Sequence, residues 1–425
     1  MKIKTKEVST EYALAVKNPK RKKPLKPNIF FRTLIRLLSV FDLMSANFSY
    51  VKKDLEKAGE DPYLILMNHS SFLDLKIASK ILYKKPYSII CTSDGFVGKS
   101  LLMRLIGCIP AQKFVTDIPL VKDILYALKT KKQSVLMYPE ASYSFDGTAT
   151  PLPRRLGVFL KKLNVPVLTI ITKGAFLREP LYNGLKKRKV KVSATFSCLL
   201  SKEEIAEKSV EELDNILDNA FSFDHFKTQQ EEKIKVAEDF RAEGLERVLY
   251  RCSECEKEGY MNSSGTDIFC KNCGATHHLD EYGYLKNKNG ETRFSHIPDW
   301  YKWQREQVKE EKKNGEYSLE VPVKIGILRD FKNIYMVGDG FLTHNINGFC
   351  LKSDDGKINY TESPLSSYSL YADYFWYEID DVICIGNKST LYYCFPKGEK
   401  DVVAKTRLAT EELYKMLKSK PAIVK

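Results

Sequence analysis

No stretch of the 425-residue sequence is both apolar enough and long enough without charge to span a bilayer as a helix. Met1–Val16 has no apolar core of the kind a secretory leader needs, so none is expected within these residues. Internal repeats and long low-complexity tracts are also missing, which sets aside solenoids, propellers and large disordered tails. Histidine is scarce, with six residues in the whole chain, so any histidine beside a carboxylate carries information. A disulfide framework is not present either: of ten cysteines, four form two tight pairs and six are scattered. That usage implies a reducing, cytoplasmic setting. Acidic residues are the remaining shortage, 54 against 68 lysines and arginines, giving a net charge of +14. Such an excess points to a polyanionic partner: nucleic acid, anionic lipid, or phosphorylated substrates and cofactors.

What is present is an ordinary globular composition, 43% hydrophobic and 29% charged, in a chain long enough for two to four domains. Residues 1–60 hold much of the basic surplus, including KNPKRKKPLK (Lys17–Lys26). The run precedes NIFFRTLIRLLSVFDLMSA (Asn28–Ala46), where Arg32, Arg36 and Ser39 share one helical stripe. Two mid-segment arginines would cost about 2.5–3.5 kcal/mol each at a bilayer centre, which argues against spanning. A helix lying in the membrane interface, its basic run on anionic head groups, fits the pattern. A core-packing helix is the alternative. We therefore expect residues 1–60 to form a basic, amphipathic membrane-association segment, and the protein to sit on the inner, cytoplasmic face of a membrane.

From Pro62 to Leu200, YLILM, YSIIC, SVLMY and PVLTII read as strands, with helical patterns between them. Continuous apolar strands separated by helices predict an α/β domain over 61–225 with a mixed, largely parallel sheet flanked by helices. KVKVSATFSCL (Lys189–Leu199) alternates and reads as a half-exposed strand near a sheet edge. Ser201 with Glu204, and Ser209 with Glu212, match capping boxes. A helical connector is expected over 226–250, a cysteine-containing ribbon over 251–285, and a β-rich domain of PH-like outline with a terminal helix over 286–425. The aromatic clusters DWYKW and YADYFWYEI read as core.

The octapeptide MNHSSFLD (Met67–Asp74) lies at the end of the first of those strands. Ser70 or Ser71 can cap the following helix, and Asp74 in its first turn can face back toward His69. A carboxylate on one imidazole nitrogen fixes the tautomer and leaves the other nitrogen to accept a proton. Such a pair can deprotonate a substrate hydroxyl without a residue nucleophile. By itself the spacing is permissive and reads as a capped helix with an incidental histidine.

Four ordered blocks change the weight. Asn68-His-Ser-Ser-Phe-Leu-Asp74 resembles the N-H-x-S-x-x-D motif of the glycerolipid acyltransferases related to 1-acylglycerol-3-phosphate acyltransferase. GKSLLMRLIGCIPAQKF (Gly98–Phe114) is similar to that family's second block, with Lys113 where arginine is usual. VLMYPEASYSFDGT (Val135–Thr148) resembles the third, usually F-P-E-G-T-R-S, and NVPVLTI (Asn164–Ile170) the apolar fourth. The resemblance covers residues 30–220 or so. It implies that His69 is the general base and Asp74 its orienting partner. It implies that Pro139, Glu140 and Ser142 shape the acceptor site, that Lys113 binds the acceptor's phosphate, and that Val165, Pro166 and Val167 border the acyl donor. The donor would be acyl-coenzyme A or acyl carrier protein, and the acceptor a lysophosphatidate-like glycerolipid. The family departures are Ala141 for glycine and Tyr143 for arginine. Losing that guanidinium loses a bidentate clamp, for which Arg154 and Arg155 are candidate replacements.

Cys252-x-x-Cys255 and Cys270-x-x-Cys273 supply two sulfur pairs on tight turns, the pattern of a closed structural zinc site. His277 and His278 beside them read as ordinary polar residues. The ribbon holds no basic excess with interleaved aromatics, so a spacer or a protein partner is expected there and nucleic acid is not. A rival reading is a zinc-ribbon scaffold, binding protein or nucleic acid, whose acyltransferase-like half is inactive.

Overall fold

The computed structural model describes residues 2–60, 62–115, 117–288, 290–398 and 402–419. Its first sheet has seven strands: β1 (Ser49–Lys53), β2 (Leu64–Met67), β3 (Tyr87–Thr92), β4 (Cys108–Ala111), β5 (Ser134–Met137), β6 (Val167–Lys173) and β7 (Ser193–Leu200). Their order is β1-β7-β6-β2-β5-β3-β4. Every neighbouring pair is parallel except β6 with β7. All four residues of the central strand β2 are buried, because both sheet faces are covered. Ile65 and Met67 share a core with Leu73 and Ile77 of helix α2 (Leu73–Ile81). Leu64 and Leu66 face the opposite core, with Leu160 and Leu213. Both capping boxes form, each serine accepting from the third-residue amide while the glutamate reaches back. Strands β1 and β4 do not show in the sequence pattern. The first is short and mostly exposed, and the second carries Pro110 at the sheet edge, where a missing N–H is tolerated.

Helix α1 (Ile29–Ser45) forms where the periodicity places it, but with its polar stripe turned inward. Arg32 donates to the Tyr83 carbonyl, and the Arg36 guanidinium lies 4.3 Å from the Tyr83 ring centroid. Ser39 is buried and accepts from Ser79 at 3.3 Å. Asp42 is paired with Lys76 and Lys187, which hold its carboxyl at about 2. The outward side carries Ile29, Phe30, Leu37, Leu38, Phe41 and Met44, with Phe41 81% and Met44 71% exposed. Exposed Leu101 and Leu102 lie on the short helix Ser100–Leu105, whose Leu105 carbonyl accepts from Asn28 at the start of α1. A globular surface helix is oriented the other way round, polar side to water. Among the described residues, no helix is long and apolar enough to cross a membrane.

The expected helical connector is not one. A helix covers His225–Glu231, and beyond it the chain runs through turns to a single short 3-10 turn at Leu245–Arg247. Tertiary burial overrides local propensity there. Val236, Ala242, Leu245, Val248, Leu249 and Tyr250 are all buried, and Arg241 donates to the carbonyls of Leu279 and Glu238. Gly244, at φ +83°, is so close to the Tyr182 carbonyl that a Cβ would clash at 2.0 Å. The ribbon that follows is a four-stranded antiparallel sheet built from Met261–Ser264, Asp267–Cys270, Thr276–Leu279 and Leu285–Asn287.

Helix α3 (Ile297–Lys313) leads into the strands β8 (Leu319–Leu328), β9 (Ile334–Asn345), β10 (Gly348–Ser353), β11 (Asn359–Glu362), β12 (Tyr371–Trp376), β13 (Asp380–Gly386) and β14 (Leu391–Pro396). They pair antiparallel in the order β11-β10-β9-β8-β14-β13-β12, two meanders joined between β8 and β14. Helix α4 (Val402–Ser419) follows, buried from Val402 through Leu413 at nearly every position. Residues 1–60 do not stay together as one segment: Thr5–Glu7 pairs in parallel with β9, and the helix Thr10–Ala15 packs on the same strand. One continuous core joins Phe145 and Phe176 of the first domain to Cys252, Ile268 and Trp300, and onward to Val321, Tyr374 and Leu408. The C-terminal half is thereby fused to the first domain.

Replacing Phe41 and Met44 together by serine should leave the unfolding free energy within about 0.5 kcal/mol of wild type, because both are largely exposed. Leu43→Ala, on the buried side, should cost about 2–5 kcal/mol in the same chemical denaturation series.

Candidate active site

Strand β2 ends at Met67, and the next residues turn over the C-terminal edge of the parallel sheet, where ligands of such sheets bind. Asn68 fixes the turn, its Oδ1 accepting from the Thr172 backbone N–H at 2.8 Å and from the Thr172 hydroxyl at 3.1 Å. His69 follows. Its Nδ1 is 2.9 Å from Asp74 Oδ2, and that same oxygen accepts from the backbone N–H groups of Ser70 at 2.9 Å and Ser71 at 3.1 Å. Asp74 is 1% exposed, in the first turn of α2, and Ser71 Oγ accepts from the Leu73 amide. With Nδ1–H donated to Asp74, Nε2 keeps its lone pair.

Two tyrosines enclose the imidazole. Tyr138 stacks on one side at 4.2 Å between centroids and Tyr143 at 3.9 Å. Burial lowers the His69 pKa below the ordinary imidazole value, against the hydrogen bond donated to Asp74, which raises it. The ring stays neutral near pH 7 as a result. The side chain retains 18% exposure, so it is sheltered but open to a reactant.

The loop 138–150 backs this arrangement. Glu140 is fully buried; its Oε2 accepts from the His69 backbone N–H at 2.9 Å and its Oε1 from the Thr150 backbone N–H at 3.1 Å and hydroxyl at 3.3 Å. Burial lifts the Glu140 pKa to about 7 while those donors pull it down. Glu140 therefore ties the histidine turn to the loop. Pro139 is buried beside it. Ser142 is buried with its hydroxyl accepting from Arg407 Nη2 at 3.0 Å, and Arg407 Nη1 reaches the Tyr143 carbonyl at 3.3 Å. Arg407 belongs to α4, 264 residues from Tyr143, and is itself held by Glu411.

The C-terminal sheet forms a second wall. Val97 and Phe114 pack with Tyr371 and Trp376 of β12. The buried carboxylate of Asp94 accepts from the Tyr371 hydroxyl and from the Trp376 indole N–H. Lys113 sits with its ammonium 4.1 Å from the Tyr371 ring centroid. No local pattern marks Arg407 or Tyr371 as belonging to a site; they meet it only through the fold. Tyr138 and Tyr143 stand out only by their positions in the third block.

The remaining candidates lie elsewhere. Arg154 and Arg155 are exposed at the start of the helix Leu156–Leu163, without an ion pair among the described residues. Val165, Pro166 and Val167 are buried at the opposite end of the sheet, since Leu64 pairs with Val167 and Met67 with Ile170. The part of β6 that reaches the histidine turn is Thr172. A cavity of about 390 Å³ lies behind the 145–151 loop, lined by residues such as Asp146, Arg305 and Glu411; it does not include His69.

Cys252, Cys255, Cys270 and Cys273 bring their sulfurs within 4.8 Å of one another. Cys252 to Cys273 is 3.7 Å and Cys255 to Cys270 is 3.8 Å. Four thiolates about 2.3 Å from a tetrahedral metal stand about 3.8 Å apart, so the set fits a metal ion. Glu254 N–H and Asn272 Nδ2 point at the sulfurs of Cys252 and Cys255. His277 lies outside the cluster, buried against Trp300 and bonded to Ser253, and His278 pairs with Asp267.

Residues 48–173 match the family model described as Acyltransferase, and this part of the chain is an acyltransferase domain, as its ordered blocks imply. The crystal structure of the 1-acyl-sn-glycerophosphate (LPA) acyltransferase PlsC from Thermotoga maritima is similar at 16% identity and a TM-score of 0.36, covering 45% of this chain and 77% of that one. No curated protein matches.

Ala141 occupies the left-handed region at φ +56°, where the related block has glycine. That conformation costs a side-chain-bearing residue about 1–2 kcal/mol, partly offset by glycine's entropy. Ala141→Gly should raise stability by about 0.5–1 kcal/mol, read as a higher denaturation midpoint.

Proposed function

We propose that this protein is an O-acyltransferase working at a membrane surface, moving a fatty acyl group from an acyl thioester to the hydroxyl of a phosphate-bearing lyso-glycerolipid. The observation that carries the reading is the neutral His69, tethered through Nδ1 to Asp74, inside a domain of the Acyltransferase family. His69 Nε2 takes the acceptor's hydroxyl proton as its oxygen forms a bond to the thioester carbonyl carbon. Asp74 stabilises the imidazolium that results. The tetrahedral centre then collapses, the C–S bond breaks, and the proton on Nε2 passes to the leaving thiolate. Tyr138 and Tyr143 keep bulk water from the ring, which favours the lipid alcohol over water as nucleophile. Glu140 and Ser142 hold the loop, and Lys113 is the phosphate partner. The donor is acyl-coenzyme A or acyl carrier protein.

The outward apolar side of α1 supports docking on a lipid surface, with Lys17–Lys26 on anionic head groups. The serine pair at Phe41 and Met44 removes that contact. The four cysteines support one structural zinc per chain, bracing the ribbon against Trp300 and the core behind the site.

Incubating the purified protein with labelled acyl-coenzyme A and a panel of lysolipids should yield a labelled diacyl product. His69→Ala should lower turnover by about 100-fold or more with the fold intact. Asp74→Asn should also lower it, by releasing the tautomer. Full activity in His69→Ala rules out the assigned base, and no product from any acceptor with either acyl-coenzyme A or acyl carrier protein as donor favours the inactive-scaffold reading. Elemental analysis should return about one zinc per chain, and its removal should unfold the ribbon; a metal-free, fully folded protein contradicts the site.

A further inference from the structure

The head-group end of the proposed site carries a balance of charge that a bare phosphate monoester does not match. Lys113 is its cation, held over Tyr371. Two residues further along β12, on the same face of the strand, stands Asp373. Its Oδ1 is buried and has no hydrogen-bond partner among the described residues. Burial lifts its pKa to about 6, and Lys113 is the cation that opposes the shift most, so the two side chains feel each other's charge. The negative charge of Asp373 is felt by the Tyr143 and Tyr377 hydroxyls, whose pKa values it helps to raise.

A phosphate monoester brings about 1.5–2 negative charges near neutral pH. Set between Lys113 and Asp373, it would meet one attractive and one repulsive partner; the Asp94 carboxylate adds repulsion, and the Arg407 guanidinium is already held by Glu411, Ser142 and the Tyr143 carbonyl. A phosphodiester brings a single charge, which Lys113 balances. An ammonium beyond it would balance Asp373 and lie against tyrosine faces. We infer that the acceptor is a zwitterionic lysolipid whose phosphodiester carries an amine head group, and that Asp373 of the C-terminal domain is the specificity-determining residue that receives the ammonium. This rests on the acyltransferase reading and gives the C-terminal sheet a place in it.

The test is a competition assay with the full-length protein, labelled acyl-coenzyme A, and equimolar lysophosphatidate and lysophosphatidylethanolamine. The amine-bearing acceptor should win by about tenfold or more in kcat/KM, and Asp373→Asn should lower that ratio by a similar factor. Should the variant fail to fold, N-acetylation of the ethanolamine in the acceptor removes the same charge pair and should cost the wild-type enzyme about tenfold. A wild-type preference for lysophosphatidate, or a ratio that neither change moves, overturns the inference while leaving acyl transfer intact. Transfer to no lysolipid from either acyl-coenzyme A or acyl carrier protein overturns both.

Discussion

One carboxylate oxygen organises the site. Asp74 Oδ2 accepts from an imidazole and two successive backbone amides, so the first turn of α2, the histidine ring and the chain between them are locked together. Ring orientation, tautomer and turn geometry follow from that single atom, and nothing else in the site fixes them all at once. Glu140 repeats the device one layer down. It gathers the His69 and Thr150 amides on its two oxygens, tying the histidine turn to the loop that carries Tyr143. Each is a buried acid facing donors, the arrangement in which removing one partner costs far more than the pair contributes.

The second feature is that the site is completed from outside the acyltransferase domain. Arg407 grips the loop at Ser142 and Tyr143, and β12 sets Tyr371 beside Lys113. The ribbon and connector lie in the same core as Phe145 and Phe176, so the C-terminal half supports the loop from behind. In helix α1 the arginines and Asp42 face protein, while Phe30, Leu37, Leu38, Phe41 and Met44 face out.

Much of this was legible in the sequence, and what was not has physical reasons. Buried parallel strands announce themselves as unbroken apolar runs, so β2, β3, β5 and β6 sit where those runs lie. Ser201 and Ser209 start helices because the capping glutamates follow at the third position. The Arg32, Arg36 and Ser39 stripe gave the period of α1, but period alone does not say which side faces protein; Tyr83 and Ser79 decide that. His69 and Asp74 were legible because they are neighbours in the chain and in space. Arg407, Tyr371 and Asp373 were not, because only long-range packing brings them there. The connector misled for the same reason: its glutamates and lysines have helical propensity, yet Arg241 and Leu245 are bound into a core. Val165–Val167 were drawn into the site by their block, while the parallel register puts them at the far end of the strand.

The claim underlying the account is that a sheltered, neutral imidazole is the base. The dependence of kcat/KM on pH reads that ionisation directly in the free enzyme. Because burial depresses the His69 pKa, activity should be fully developed at neutral pH and fall on the acid side with a midpoint below about 6.5, the ordinary imidazole value. In Asp74→Asn, which loses the carboxylate that raises that pKa, the midpoint should move further down. An acid limb centred above 7, or one that the Asp74 variant leaves in place, would contradict it.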